Sequence, residues 1–395
     1  MFNILTYNNI SPVGLTKLPG EQYKIGSEMD NPDAILLRSF NLHSQAIPES
    51  LKAIGRAGAG VNNIPIAEYT KRGIPVFYAP GANSNAVAEL TIGGMLLASR
   101  NIAAALNFVG GLEGDEEAIN KQIESNKKHF VGFELSGKTL GVLGLGAIGV
   151  KVANAAVALG LNVIGFDPFM SLENAWQLAS SAIPATSIDD LVSRSDLISL
   201  HVPLNDQTKS LINKTHIDRI KKGSTLLNFS RAGVVDEGAV LASLDAGNLH
   251  TYVCDFPVPA MLNHARVILL PHLGASTAEA EDNCAVMVAE QVRDFLENGT
   301  IRHAVNFPEV FLPACGEGVR LGVANKNIPN VLGQISSALG EAGLNILDML
   351  NKSLGDFAYT LINIDTDVPL RTVEHIRSID GVLSARVIYQ HDINR

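Results

Sequence analysis

Short runs of aliphatic and β-branched residues alternate with stretches of helical periodicity along most of the chain. Residues 3–7, 34–38 and 75–78 read as strands separated by turn-rich and helical stretches, the rhythm of parallel strands joined by crossovers. Residues 87–106, rich in Ala and Leu, predict one long helix, and the polar segment 110–128 predicts a loop with some helix. A second series opens at Thr139: strand candidates 139–143, 162–166, 197–201, 225–228, 251–254 and 267–269 alternate with helical segments, which predicts a doubly wound sheet. Residues 277–298 predict a long helix that carries Val288, Val292, Phe295 and Leu296 on one face and stops at Gly299. After a linker containing Pro308 and Pro313, the pattern restarts: strand 319–324, helix 331–342, strands near Ile346 and at 359–364, a helix from Arg371 and a strand at 385–389. That order is a split βαβ, ferredoxin-like module.

Composition narrows the class. The 395 residues suffice for two to four domains, and 46% apolar with 18% charged residues fits an α/β protein with a substantial core. A net charge of −10 opposes the basic footprint that nucleic-acid binding requires. Cys254, Cys284 and Cys315 are odd in number and show no CxxC spacing, and the His residues form no HxH or HExxH, so a reducing compartment and no metal site are expected. The start MFNILTYNNI lacks the features of a signal peptide, and the longest apolar runs, such as 91–98, are too short to span a membrane. A cytoplasmic protein is expected.

The clearest chemical signal is Gly144-Leu145-Gly146-Ala147-Ile148-Gly149, placed between a strand and a helix. There the first glycine makes a tight turn and the second admits a pyrophosphate. The third lets the helix pack on its strand, and unpaired N–H groups at the helix start face the anion. Asp167 ends the next strand, near the spacing expected of a carboxylate that binds a ribose hydroxyl. Because Asp167 would repel a 2′-phosphate and Pro168-Phe169-Met170-Ser171 brings no arginine, NAD is expected over NADP. Arg231, in Asn228-Phe229-Ser230-Arg231-Ala232-Gly233, and His272, in Pro271-His272-Leu273-Gly274-Ala275-Ser276, each follow a strand directly, where doubly wound folds place ligands.

The GLGAIG loop, FDP, HVPL, NFSRAGVVDE and PHLGAST resemble the D-isomer-specific 2-hydroxyacid dehydrogenases, and most closely the branch that oxidises 3-phosphoglycerate towards serine. The resemblance covers essentially the whole chain. It implies a Rossmann-type NAD domain (92–275) inserted in a flavodoxin-like substrate domain (1–91 and 276–306), with the active site in the cleft, and a C-terminal ACT domain (316–395). Carried over by position, Arg231 would bind the substrate carboxylate and carbonyl oxygen, and His272 would exchange the proton with the 2-hydroxyl. The chemistry agrees, since alcohol oxidation needs a group titrating near neutrality and a guanidinium fork suits a carboxylate. The cofactor surroundings would be Gly144, Gly146, Ala147, Ile148, Gly149, Asp167, Val202, Pro203, Phe229, Ser230, Gly274 and Ala275, with Asp255 on the nicotinamide carboxamide. Arg38, Ser39, Arg56, Ala59, Gly60 and Asn83 would line the substrate side, and the arginines favour a phosphorylated substrate. Lys127 and Lys128 are read as a solvated surface pair. Asn325, Asn327 and Asn345 would contact a small amino-acid effector, serine as end product, between two ACT modules, which implies a homodimer or homotetramer.

Two departures stand out. Asn62 replaces a family Asp. More seriously, Asp255-Phe256-Pro257-Val258-Pro259-Ala260-Met261 lacks the family Glu that orients the histidine, with Asp282 as one substitute. Two other readings remain open at this stage: a dehydrogenase for glycerate or 2-hydroxyglutarate, and an NAD-sensing binding protein of the corepressor kind.

Overall fold

In a computed structural model, the chain is described over residues 1–313 and 318–389, so Cys315 lies outside the described residues. It divides into two compact units, one of residues 1–83 with the chain from Ala278 onward and the other Ser84–Thr277.

The first unit opens with five strands: β1 (Phe2–Tyr7), β2 (Tyr23–Gly26), β3 (Ala34–Leu37), β4 (Ala53–Arg56) and β5 (Val76–Tyr78). They form a parallel sheet in the order β2-β1-β3-β4-β5. The helix Ala278–Asn298 lays Ala285, Val288, Ala289, Val292, Phe295 and Leu296 onto Ile4, Leu36, Ala53 and Phe77, the amphipathic face that its sequence announces.

In the second unit all seven strands are parallel: β6 (Thr139–Leu143), β7 (Asn162–Phe166), β8 (Ile183–Pro184), β9 (Leu197–Leu200), β10 (Ser224–Asn228), β11 (Leu249–Cys254) and β12 (Val267–Leu269). The order β12-β11-β10-β9-β6-β7-β8 reverses between β6 and β9, the position where doubly wound sheets bind ligands. One core layer joins the sheet to the helices Ser84–Ser99 and Ala147–Ala158, through Met95, Ala98, Val152 and Ala156. Another joins it to Ile188–Arg194 and Glu237–Asp245, through Leu191, Val192, Val240 and Leu244. The helix expected over 87–106 is two helices, Ser84–Ser99 and Ile102–Gly110, bent by 69°. Asn101 causes the break by taking a left-handed conformation (φ 51°), which asparagine tolerates better than most residues. Among the described residues no single helix is long and apolar enough to cross a membrane.

The C-terminal module consists of β13 (Val319–Lys326), β14 (Ile346–Leu354), β15 (Phe357–Ile364) and β16 (Val382–Ile388), antiparallel in the order β14-β15-β13-β16. Period-two alternation lets β13 and β15 bury both faces. Leu321, Val323 and Ile362 meet the helices Val331–Glu341 and Leu370–Ser378, while Ala324, Tyr359 and Leu361 join the core around Phe77, Phe295 and Phe307. Arg386 fixes this second contact. Its guanidinium lies over the Phe295 ring at 4.2 Å and donates to the Leu296 carbonyl at 3.2 Å, where a cation meets a helix C-terminus.

Candidate active site

At the reversal point of the second unit, β6 is followed by Gly144, whose φ of 91° turns the chain, and Gly146 is the N-cap of the helix Ala147–Ala158. A Cβ on Gly149 would stand 1.9 Å from the Gly144 carbonyl oxygen, so only glycine fits beneath the turn. A Cβ on Gly146 would meet nothing within 4 Å. The open side of Gly146 and the uncapped N–H groups of the helix's first turn form a cradle that fits a pyrophosphate. Asp167, directly after β7, accepts hydrogen bonds from Leu145 N at 2.8 Å and Phe169 N at 2.8 Å, which fixes its carboxylate beside the glycine turn. Ala147 and Ile148 form the first turn above this cradle, and Val202 and Pro203 follow β9 across the reversal point.

Further along the same edge, Asn228 closes β10 and is buried. Its Oδ1 accepts from Ser230 N and Oγ at 3.1 and 2.8 Å, and its Nδ2 donates to the Arg231 carbonyl at 3.0 Å. The Phe229 side chain is buried in the core beneath this turn. Arg231 itself is partly buried and donates to the Ser230 carbonyl at 2.7 Å; burial holds its pKa below the ordinary value. Among the described residues no carboxylate lies within 4.0 Å of its guanidinium, so a desolvated cation stands ready for an anion.

His272 is exposed and has a left-handed backbone (φ 58°). Its loop is held from below by Asp255, which is only 1% exposed and accepts from Leu273 N at 2.7 Å and Gly274 N at 2.8 Å. This clamping of the histidine loop is a task for Asp255 that the sequence does not announce. Ala275 continues the same turn, closed by Ser276 N donating to Leu273 O at 2.9 Å. The segment that lacks the family Glu contributes an aromatic ring instead: Phe256 meets the His272 imidazole edge-on, centroids 5.1 Å apart. Asp282 belongs to the other unit, where it accepts a hydrogen bond from Ser11 Oγ.

In the first unit, Arg38 and Arg56 stand side by side at the carboxyl ends of β3 and β4, where Leu37 pairs with Arg56. Arg56 Nε donates to the Arg38 carbonyl at 3.1 Å, and Asn63 Nδ2 donates to the same carbonyl at 3.1 Å and to Phe40 O at 2.7 Å. The Arg56 guanidinium lies across Gly58, where a Cβ would stand 1.7 Å from Nη1. Ser39 N donates to Asn8 Oδ1 at 3.1 Å, Ala59 and Gly60 follow Gly58, and Asn83 closes the segment after β5. Asn62, the departure from the family, meets His43 through its carbonyl at 3.0 Å. Lys127 pairs with exposed Glu124, in keeping with a solvated surface pair.

The asparagines of the C-terminal module do not converge within one chain. Asn325 is buried and donates to the Lys326 carbonyl at 2.7 Å, and Asn327 donates to Gly355 O at 3.1 Å, both at the end of β13. Asn345 precedes β14, whose first residue shares Ile364 as a partner with Val319 at the start of β13. The two groups are therefore about 20 Å apart at 3.3 Å per residue. Sequence reasoning missed Asn63, Asn228 and Phe256, whose roles depend on partners that folding brings to them.

A parallel sheet with its order reversal, a glycine turn under a helix start and a carboxylate fixed beside that turn are the features of an NAD-dependent oxidoreductase. The family model described as "D-isomer specific 2-hydroxyacid dehydrogenase, NAD binding domain" matches residues 93–274. The D-3-phosphoglycerate dehydrogenase of Haemophilus influenzae is 35% identical over 356 residues, covering 87% of this chain and 83% of its own. That of Escherichia coli K12 is 35% identical over 354 residues, 86% of this chain and 82% of its own. Among solved structures, NAD+-bound 3-phosphoglycerate dehydrogenase from Entamoeba histolytica superimposes with a TM-score of 0.61 at 27% identity, covering 79% of this chain and 99% of its own. The chain belongs to the D-isomer-specific 2-hydroxyacid dehydrogenase family.

Proposed function

We propose that the chain oxidises 3-phospho-D-glycerate to 3-phosphohydroxypyruvate, the first step of L-serine biosynthesis. The observation that supports the substrate choice is the pair of arginines, Arg38 and Arg56, adjacent at the carboxyl edge of the first sheet. A phosphate dianion calls for such a pair of cations, whereas glycerate and lactate bring no second anion to them. NAD, when bound, supplies the hydride acceptor. Arg231 holds the carboxylate and the C2 oxygen. As the C2–H bond breaks and its electron pair leaves as hydride, the hydroxyl proton passes to His272, so the C2–O bond becomes a carbonyl. Arg231 stabilises the charge that develops on that oxygen. Asp255 and Phe256 act through His272, one by holding its loop and the other by bracing its ring.

The C-terminal module is proposed to bind serine or another small amino acid between two copies of the chain. The support is geometric: a ligand touching Asn325, Asn327 and Asn345 needs the opposite ends of two modules. The buried free thiols Cys254 and Cys284 suit a reducing compartment, and we place the reaction in the cytoplasm. The site assignment is tested with Arg231→Ala and His272→Ala, each expected to reduce kcat/KM with 3-phosphoglycerate at least about a hundredfold. Near wild-type turnover in both would overturn it.

A further inference from the structure

The first turn of the helix Ala278–Asn298 places Glu281 against the phosphate-side arginines. Its Oε1 lies 2.8 Å from Arg38 Nη1, with the two side chains 42% and 35% exposed. Cys284, one helical turn further on, reports on the same charges. Burial pushes its thiol up, Arg56 and Arg38 pull it down, and Glu281 pushes it up again, so all three charged groups lie within electrostatic reach of one sulfur. The neighbouring Asp282 is engaged by Ser11 and does not compete for Arg38.

Glu281 does not need Arg38 for its own stability. A carboxylate in the first turn of a helix is favoured by the helix dipole, and a half-exposed ion pair contributes little to folding. The contact matters for what it occupies: a carboxylate on a guanidinium makes the same charge-assisted hydrogen bonds that a phosphate oxygen would make there. We infer that Glu281 is an internal counter-anion, which the substrate's phosphate must displace from Arg38 and which sets the enzyme's preference for a phosphate-bearing acid over anions of lower charge. A dianion recovers the lost pairing with both Arg38 and Arg56, whereas a weaker anion gains too little to displace the carboxylate. The residue thereby trades affinity for discrimination, in the way specific sites use repulsion as well as attraction.

The inference rests on the reading that Arg38 receives the substrate's phosphate. The test compares Glu281→Gln, Glu281→Asp and Arg38→Ala with the parent enzyme, using 3-phosphoglycerate and D-2-hydroxyglutarate as substrates and inorganic phosphate as inhibitor. Glu281→Gln should lower KM for 3-phosphoglycerate two- to fivefold, the scale of a half-exposed ion pair. It should lower the 3-phosphoglycerate to D-2-hydroxyglutarate ratio of kcat/KM, because the weaker anion gains more once no carboxylate has to be displaced, and it should tighten inhibition by inorganic phosphate, with Glu281→Asp in between. A merely structural residue would change both substrates alike. If Arg38→Ala raises KM for 3-phosphoglycerate while Glu281→Gln leaves it unchanged or raises it, the counter-anion is wrong and the substrate reading stands. If Arg38→Ala does not change that KM, the placement of the phosphate is wrong and the inference falls with it.

Discussion

The imidazole of His272 stands edge-on to the ring of Phe256, with centroids 5.1 Å apart and planes inclined at 62°. A carboxylate partner would orient the ring through a hydrogen bond. Here the orientation comes from an aromatic contact and from a loop fixed by Asp255. Edge-to-face pairs contribute about 0.5–1.5 kcal/mol. Phe256→Ala should therefore reduce kcat up to about tenfold, and Phe256→Leu less, since a smaller apolar side chain still fills space beside the ring. Steady-state kinetics in both directions measure this, and unchanged kcat in Phe256→Ala would remove the ring from any positioning role.

The second and third glycines of the nucleotide turn should fail in different ways. A methyl on Gly146 meets open space, so Gly146→Ala should keep the thermal midpoint of the unliganded protein while weakening NADH binding at least about tenfold, because the methyl stands where the pyrophosphate approaches. A methyl on Gly149 collides with the Gly144 carbonyl, so Gly149→Ala should lower the thermal midpoint itself by several degrees, the scale of a strained core substitution. Scanning calorimetry and a fluorescence titration separate the two.

Acid should unfold the protein partly through His201. Burial lowers its pKa to about 3, and its Nε2 lies 2.8 Å from Ser199 Oγ. Its Nδ1 is buried with no partner among the described residues. Because the folded value lies below the unfolded one, the unfolded chain binds the extra proton. The stabilisation is complete above about pH 6.5 and is lost as pH falls from there towards 3. His201→Gln should flatten this dependence by a few kcal/mol, measured as urea midpoints at intervals across that window.

Much of the fold was legible because local pattern and tertiary role coincide. The strands Thr139–Leu143, Asn162–Phe166 and Val267–Leu269 are apolar runs bounded by turns, and the structure keeps their predicted limits. β4 was not foreseen because Ala-Ile-Gly-Arg is too short and too weakly β-forming to stand out, and it is a strand only because β3 and β5 flank it. The break at Asn101 is equally local and equally silent, since the Ala and Leu on either side carry the helical pattern straight through it. At the candidate site, Arg231 and His272 stood out by following strands. The ion pair of Arg38 with Glu281 joins residues far apart in sequence, and no spacing rule links them.

The proposed pairing of two C-terminal modules gives a measurable stoichiometry. With Asn325 and Asn327 at one end of the sheet and Asn345 at the other, the proposed amino-acid site would be shared by two chains. Calorimetry with serine should give one or two sites per pair of chains, with a dimer or tetramer in light scattering. No heat with serine or glycine, together with a monomeric mass, would contradict the shared site.

The central claim is the substrate, and it is tested most directly by NADH formation with the purified protein, comparing 3-phosphoglycerate, D-glycerate and D-2-hydroxyglutarate at equal concentration. The pair Arg38 and Arg56 at the carboxyl edge of the first sheet predicts the highest kcat/KM for 3-phosphoglycerate, by at least about tenfold over D-glycerate, the scale of one charge-assisted contact. Equal or faster NADH formation with D-glycerate or D-2-hydroxyglutarate, or none with any of the three, would contradict it.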